Sequence, residues 1–197
     1  MPLTKLDDAS ALIVIDLQKG VVGMPVVHPV NEIVGRSAQL ARAFRERALP
    51  VVLVNVSGPP PGRTDAGRPK FSFPADWTDL VPELEQHPGD HTVTKQRWGA
   101  FLGTALDDYL RRRGVTQVVL TGVATSIGVE STARSAYDLG YNVTLVVDAM
   151  TDRDAAAHSH SVEKIFPRLG ETAKTDDVLK LLQEAPGSVS GPQPPKC

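Results

Sequence analysis

The stretch Ala11-Leu12-Ile13-Val14-Ile15-Asp16 decides the fold. Its first five residues are aliphatic and mostly β-branched with no polar interruption, the mark of a strand buried on both faces in a parallel sheet. Asp16 follows at once, at the carboxyl end of that strand. Val51-Val52-Leu53-Val54-Asn55-Val56, Val118-Val119-Leu120 and Val143-Thr144-Leu145-Val146-Val147 repeat the signature, and Thr92-Val93-Thr94 is a weaker candidate for an edge strand. Between these runs the period changes to that of a helix. Ile33, Ser37, Leu40, Phe44 and Ala48 fall on one stripe, and so do Leu102, Leu106, Tyr109 and Leu110. The second stripe ends in Arg111-Arg112-Arg113 and Gly114, charges suited to the negative end of a helix dipole and a residue suited to its C-terminal cap. Further helices are expected from Ile127 to Leu139, closed by Gly140, and from Asp154 to Phe166, closed by Pro167. Another is expected from Thr175 to Gln183, opened by the capping run Thr175-Asp176-Asp177. Strands and helices in alternation predict a three-layer α/β/α domain around a parallel sheet, because parallel strands need right-handed crossovers.

The composition sets bounds on what such a domain does. The chain has 197 residues, 41% of them hydrophobic, enough for one sizeable core, here placed in a single domain over 1–185. Pro186 to Cys197 is mostly Pro, Gly, Ser and Gln and reads as a flexible tail. With 21 basic and 23 acidic side chains the formal charge is −2, which offers no basic field for nucleic acid or anionic lipid. A small-molecule partner is expected, with no nucleic acid and no membrane. Met1 to Asp8 lacks the basic and apolar regions of a signal peptide, and no apolar run approaches the roughly 20 residues that span a bilayer, so a cytoplasmic setting is expected. The single cysteine, Cys197, is the last residue, which excludes a disulfide, a thiolate metal cluster and an internal cysteine nucleophile. No metal site is expected, since His28, His87 and His91 lack ligand spacing, and no cofactor is implied.

Ligands of open parallel sheets bind beyond the carboxyl ends of the strands, where strand order reverses. Asp16 and Gln18 follow the first strand, Lys95 the third, and Gly122-Val123-Ala124-Thr125-Ser126-Ile127-Gly128 the fourth, turning into a helix whose free N–H groups can receive an anion or oxyanion. Each has an ordinary structural explanation. An aspartate at a strand end caps turns, a strand-end lysine is commonly solvated, Ser126 suits an N-cap, and glycines permit tight turns. The roughly 34 residues from Ser57 to Asp90, rich in proline and glycine, form a loop long enough to be a lid or an interface arm. Its cations Arg68 and Lys70 can meet a substrate carboxylate or simply keep the surface soluble.

The segments Ile13-Val14-Ile15-Asp16-Leu17-Gln18, Thr94-Lys95-Gln96-Arg97-Trp98-Gly99-Ala100-Phe101 and Gly122 to Arg134 resemble those of the isochorismatase-like, or cysteine hydrolase, superfamily. The likeness continues through Ala136-Tyr137-Asp138-Leu139-Gly140-Tyr141 and Val147-Asp148-Ala149, so it covers roughly residues 10 to 183. The resemblance implies a Rossmann-like, six-stranded parallel sheet of order 3-2-1-4-5-6, a cis peptide at Val123–Ala124 that helps shape an oxyanion hole, and a homodimer or larger homo-oligomer. It implies catalytic roles for Asp16 and Lys95 and puts the family's nucleophilic cysteine at Gly128. It also implies a pocket lined or shaped by Gln18, Trp98, Phe101, Val123, Ala124, Ser126 and Ile127. Isochorismatases proper likewise lack the cysteine, commonly as glycine, and there an aspartate protonates a vinyl ether while water adds. Ala124-Thr125-Ser126-Ile127 looks closer to the amidohydrolase branch, since Ala124 stands where isochorismatases tend to carry an aromatic residue. Gly20-Val21 departs from the family's own first motif, replacing the acidic residue and Phe that usually complete it.

The leading expectation is therefore a cysteine-independent hydrolase that adds water to a small substrate of the isochorismate type through Asp16 and Lys95. Amide hydrolysis by water activated on Asp16 is the alternative within the same site. As an acid, Asp16 must keep a proton against the pull of an ammonium such as Lys95, so the ionised carboxylate is the easier state. A serine mechanism would use Ser126 with His158 or His160 as base, although the local sequence is not G-x-S-x-G. A non-catalytic binding or scaffold module is the reading from another class.

Overall fold

The computed structural model describes residues 3–65, 67 and 73–184. Six parallel strands form one sheet: β1 (Ser10–Ile15), β2 (Val51–Val56), β3 (His91–Lys95), β4 (Gln117–Val123), β5 (Asn142–Thr151) and β6 (Glu171–Ala173), in the order β3-β2-β1-β4-β5-β6. The three-layer α/β/α architecture and the strand order are as expected. Thr92-Val93-Thr94 lies in an edge strand. At the other edge, β6 has only three residues and no apolar run, so no periodicity announced it. The strand order reverses between β1 and β4, which pair from Ser10↔Gln117 to Ile15↔Gly122.

Alternation along the central strands builds two cores. Ala11, Ile13, Ile15, Val52 and Val54 face one side, where α3 (Leu106–Arg112), α4 (Glu130–Asp138) and α6 (Phe166–Leu169) contribute Leu106, Leu110, Ala133, Ala136 and Phe166. Leu12, Val14, Val51 and Leu53 face the other, against Ile33, Leu40 and Phe44 of α2 (Val30–Glu46) and Val178 and Leu182 of α7 (Thr175–Glu184). Each Val, Leu, Ile or Phe among them, fully buried, contributes about 1.5–3 kcal/mol. Ser37 keeps its place in the apolar stripe of α2 because its hydroxyl donates to Thr121 Oγ1 at 3.1 Å. Two short helices complete the set: α1 (Lys19–Val22), which the sequence did not suggest, and α5 (Ala155–His160).

Several expected helix boundaries move. Leu102 is 69% exposed and precedes the helix. The Thr104 hydroxyl donates to the Ala100 carbonyl at 2.6 Å and accepts from Leu106 N–H at 3.3 Å, so the chain turns there and α3 begins only at Leu106. Ile127 lies in a π-helical turn, Thr125–Val129, and α4 starts at Glu130. Pro167 does not close a helix. A second π turn, Ser161–Ile165, places it at the start of α6, where its missing N–H costs nothing and the chain remains helical to Leu169. Before α7, Lys174 N–H donates to the Asp177 carboxylate at 2.8 Å, while the Thr175 hydroxyl turns away to Asp148 at 3.0 Å.

The loop from Ser57 to Asp90 is pinned to the strand ends over its described part. Gln18 pairs with Leu80 in an isolated bridge, Trp77 Nε1 donates to the Val56 carbonyl at 3.0 Å, and Asn55 Nδ2 donates to the Thr78 carbonyl at 2.9 Å. Arg68 and Lys70 lie outside the described residues, as does the tail from Pro186. Among the described residues no helix is long and apolar enough to cross a membrane.

Candidate active site

Parallel pairing carries the ends of β1, β3 and β4 to one edge of the sheet: Ile15 lies between Val54 and Gly122, and Val56 pairs with Lys95. Asp16 leaves β1 in the left-handed region, with φ 53°. Its Oδ2 accepts from Lys95 Nζ at 2.7 Å, and both side chains are buried. Lys95 also donates to the Arg97 carbonyl at 3.2 Å. Asp16 Oδ1 is buried and has no hydrogen-bond partner among the described residues. Burial raises the Asp16 pKa to about 6, and the lysine's opposing charge and hydrogen bond only partly reverse it. The expected balance of forces is therefore inverted: desolvation outweighs the ammonium, and the carboxyl carries a proton in a substantial fraction of molecules just below neutrality.

Gly128 stands directly behind this pair. A Cβ there would lie 2.9 Å from Ile15 Cγ2, 3.3 Å from Asp16 Oδ2 and 3.3 Å from the Val123 carbonyl oxygen. The peptide between Val123 and Ala124 is cis. In the π turn that follows, Ser126 N–H donates to Asp152 Oδ2 at 2.6 Å. Asp152 Oδ1 accepts from the N–H groups of Arg153 at 2.7 Å and Asp154 at 3.3 Å. Among the described residues neither candidate histidine hydrogen-bonds Ser126: His158 Nδ1 pairs instead with Thr125 Oγ1 at 2.9 Å, and its ring meets that of His28 edge-on at 4.7 Å. The nucleophile–base contact that a serine mechanism needs is not formed.

Beside Asp16 and Lys95 opens a cavity of about 450 Å³. Trp98 and Ile127 line it, together with Val56, Pro59, Trp77 and Met24. The departure at Gly20 has a spatial reason, since a Cβ there would come within 2.2 Å of the Trp77 ring, and Trp77 is a wall of the cavity. Three expected lining residues serve elsewhere. Phe101 is only 7% exposed and packs on Tyr141 in the core, with ring centroids 5.9 Å apart. Gln18 is fully buried and fully used: its Nε2 donates to the carbonyls of Val56 at 3.0 Å and Trp77 at 2.7 Å, while its Oε1 accepts from Val56 N–H at 2.7 Å. Ala124 packs against the core on the side of α2 and α7. Gln18 thus fixes the wall on which a ligand would lie. In the sequence Arg97, Arg153 and Asp152 look like surface charges, although Arg97 stands only two residues after Lys95. Among the described residues no three His, Cys, Asp or Glu side chains converge as a metal-ligand set.

Residues 10–177 match the isochorismatase domain. The chain belongs to the isochorismatase family. Across its length this isochorismatase-family protein is 41% identical to the uncharacterized isochorismatase family protein YwoC of Bacillus subtilis, over 87% of this chain and 93% of that one. A solved isochorismatase family protein from Burkholderia thailandensis superposes with a TM-score of 0.87 at 42% identity, covering 91% of this chain and 98% of its own. A ureidoacrylate amidohydrolase, RutB of Variovorax paradoxus, is 30% identical over 91% of this chain and 83% of its own. Membership places the chain among hydrolases.

Proposed function

We propose that this isochorismatase-family member hydrolyses a small substrate without a cysteine nucleophile, using Asp16 as the proton-transferring group and Lys95 as its charge partner. The observation that carries the reading is the buried Asp16–Lys95 pair at 2.7 Å with only the α-carbon of Gly128 beside it, where the resemblance puts a thiolate. A pKa of about 6 suits general acid–base work near neutral pH. With a vinyl ether of the isochorismate type, protonated Asp16 gives its proton to the terminal vinyl carbon, and the ether oxygen shares the positive charge that results. Water adds to the cationic carbon and returns its surplus proton to Asp16; the hemiketal then collapses to an alcohol and a ketone, its hydroxyl proton passing to the departing ether oxygen. Lys95 offsets the negative charge left on Asp16, and its contact with the Arg97 carbonyl holds it in place.

A second reading is favoured by the likeness to the ureidoacrylate amidohydrolase. Here ionised Asp16 takes a proton from water as it attacks an amide carbonyl, with Lys95 close to the developing oxyanion. Following isochorismate consumption and ammonia release from ureidoacrylate in parallel separates the two. Asp16→Asn is expected to lower the active reaction by about 10²–10⁴-fold, and alkylation of Cys197 with iodoacetamide to leave it unchanged. Full activity in Asp16→Asn, or inactivation by the alkylating agent, would sink the proposal. Ligand binding without turnover of either substrate would favour the non-catalytic module.

A further inference from the structure

Four charged side chains line the cavity: Asp16, Lys95, Arg97 and Arg153. The first two neutralise each other at 2.7 Å. The guanidinium groups of Arg97 and Arg153 form no ion pair and no side-chain hydrogen bond among the described residues. This sets them apart from Arg36, Arg42, Arg45, Arg111 and Arg134, each of which has a carboxylate partner. Much of the remaining wall is apolar, including Trp77, Trp98, Val56, Pro59 and Met24. An apolar hollow with two uncompensated cations at its rim is complementary to an organic anion, because a guanidinium fork binds a carboxylate through two parallel hydrogen bonds.

We infer that the cavity takes a small carboxylate and holds it head outward, with Arg97 and Arg153 gripping the carboxylate at the mouth and the uncharged body lying on Trp77 and Trp98. The orientation follows from burial. Both arginines are exposed, whereas Asp16 and Lys95 are buried, so the anion site is shallow and the reactive end of the ligand goes deep. The reverse pose would set the ligand's negative charge against Asp16. Both cations also start from a fixed backbone: the Arg153 N–H is held by Asp152 at 2.7 Å, and the Arg97 carbonyl by Lys95 at 3.2 Å. Less ordering is then needed on binding. The inference rests on this cavity being the catalytic one and, of the two reactions proposed, favours the amide: a ureido acid carries its carboxylate remote from the scissile bond, whereas an isochorismate-type vinyl ether carries one on the reacting carbon.

The test uses the chain's own reporters. Its two tryptophans, Trp77 and Trp98, both line the cavity, so selective excitation of tryptophan reads occupancy of this site alone. The probes are phenylpropionate and its isosteric amide, phenylpropionamide. The acid is expected to bind roughly tenfold more tightly, with the advantage shrinking as salt is added. Arg97→Gln and Arg153→Gln are each expected to weaken the acid about three- to tenfold and leave the amide unchanged, and the double variant to bind the two alike. Both arginines are exposed, so folding is not at stake, and a thermal melt confirms it. Asp16→Asn should keep the preference for the acid. Loss of turnover in Asp16→Asn therefore tests the catalytic proposal, and the acid-to-amide ratio tests this one. Equal binding of acid and amide, no binding of the acid, or a preference that survives in the double variant overturns the inference.

Discussion

Two buried aspartates stand just beyond strand ends on opposite sides of the switch point, Asp16 after β1 and Asp152 after β5, and their surroundings differ completely. Asp152 uses both oxygens on backbone N–H groups, those of Ser126, Arg153 and Asp154. Asp16 has one oxygen on an ammonium and the other on no partner among the described residues. A carboxylate whose lone pairs are taken by fixed backbone donors has no capacity left for chemistry and acts as a clasp, here between the π turn and the end of β5. A carboxylate left half satisfied in a dry site stores unfavourable desolvation, and proton transfer can release it. The same residue type, equally buried, serves structure on one side and reactivity on the other.

The largest structural effect should therefore come from the clasp. Asp152→Ala strands the Ser126 N–H inside the protein and loosens the Arg153 and Asp154 turn, at a cost on the order of 3 kcal/mol in urea unfolding. A loss within about 0.5 kcal/mol, the range of an ordinary surface substitution, would erase the distinction between the two aspartates. Asp16 should instead make stability depend on pH. Its folded-state pKa, about 6, lies above the ordinary aspartate value of 3.8, so the folded protein holds this proton more tightly than the unfolded chain does. The stabilisation is complete below about pH 4 and is lost as pH rises through 6. Relative to Asp16→Asn, the wild type should lose about 3 kcal/mol across that window. Urea titrations of both proteins at several pH values check it, and a difference that stays flat would contradict the raised pKa.

The sequence carried the frame of this arrangement further than its details. Unbroken aliphatic runs such as Leu12 to Ile15 are legible because a strand buried on both faces tolerates little else, and that was enough to place Asp16, Lys95 and the Gly122–Gly128 turn at one edge. Boundaries governed by a single side-chain hydrogen bond were not legible. Thr104 delays α3, and Leu102 matches the helical period without belonging to the helix. Gln18 and Phe101 lie in the right segments but point into networks and core that only tertiary packing defines. Arg97 and Arg153 were opaque for a related reason: an unpaired arginine reads as surface charge until its neighbours are known to be apolar.

Gly128 gives a smaller effect that sharpens the contrast at the reactive aspartate. Gly128→Ala pushes a methyl group toward Ile15 Cγ2 and Asp16 Oδ2, and overpacking of this kind costs about 1–3 kcal/mol. Part of the cost should be recovered in the double variant with Ile15→Ala, which removes Cγ2, judged by a double-mutant cycle. Strictly additive losses would mean that the methyl group meets something other than Ile15.

The smallest effect concerns His158, which borders the clasp and not the reactive pair. Partial burial lowers its pKa below 6.5, the nearby His28 lowers it further, and Asp152 acts in the opposite direction. The folded protein therefore prefers the neutral ring, and stability contributed here is present above pH 6.5 and declines as pH falls through the depressed folded-state value. This slope is opposite in sign to that from Asp16, so the two sides of the site pull the pH profile in opposing directions. An NMR titration of the His158 ring should give a midpoint below 6.5, and His28→Ala should move it upward by removing a like charge. A midpoint that does not respond to His28→Ala would leave desolvation alone responsible for the shift and uncouple the α1–α2 loop, which carries His28, from the turn that bears Thr125.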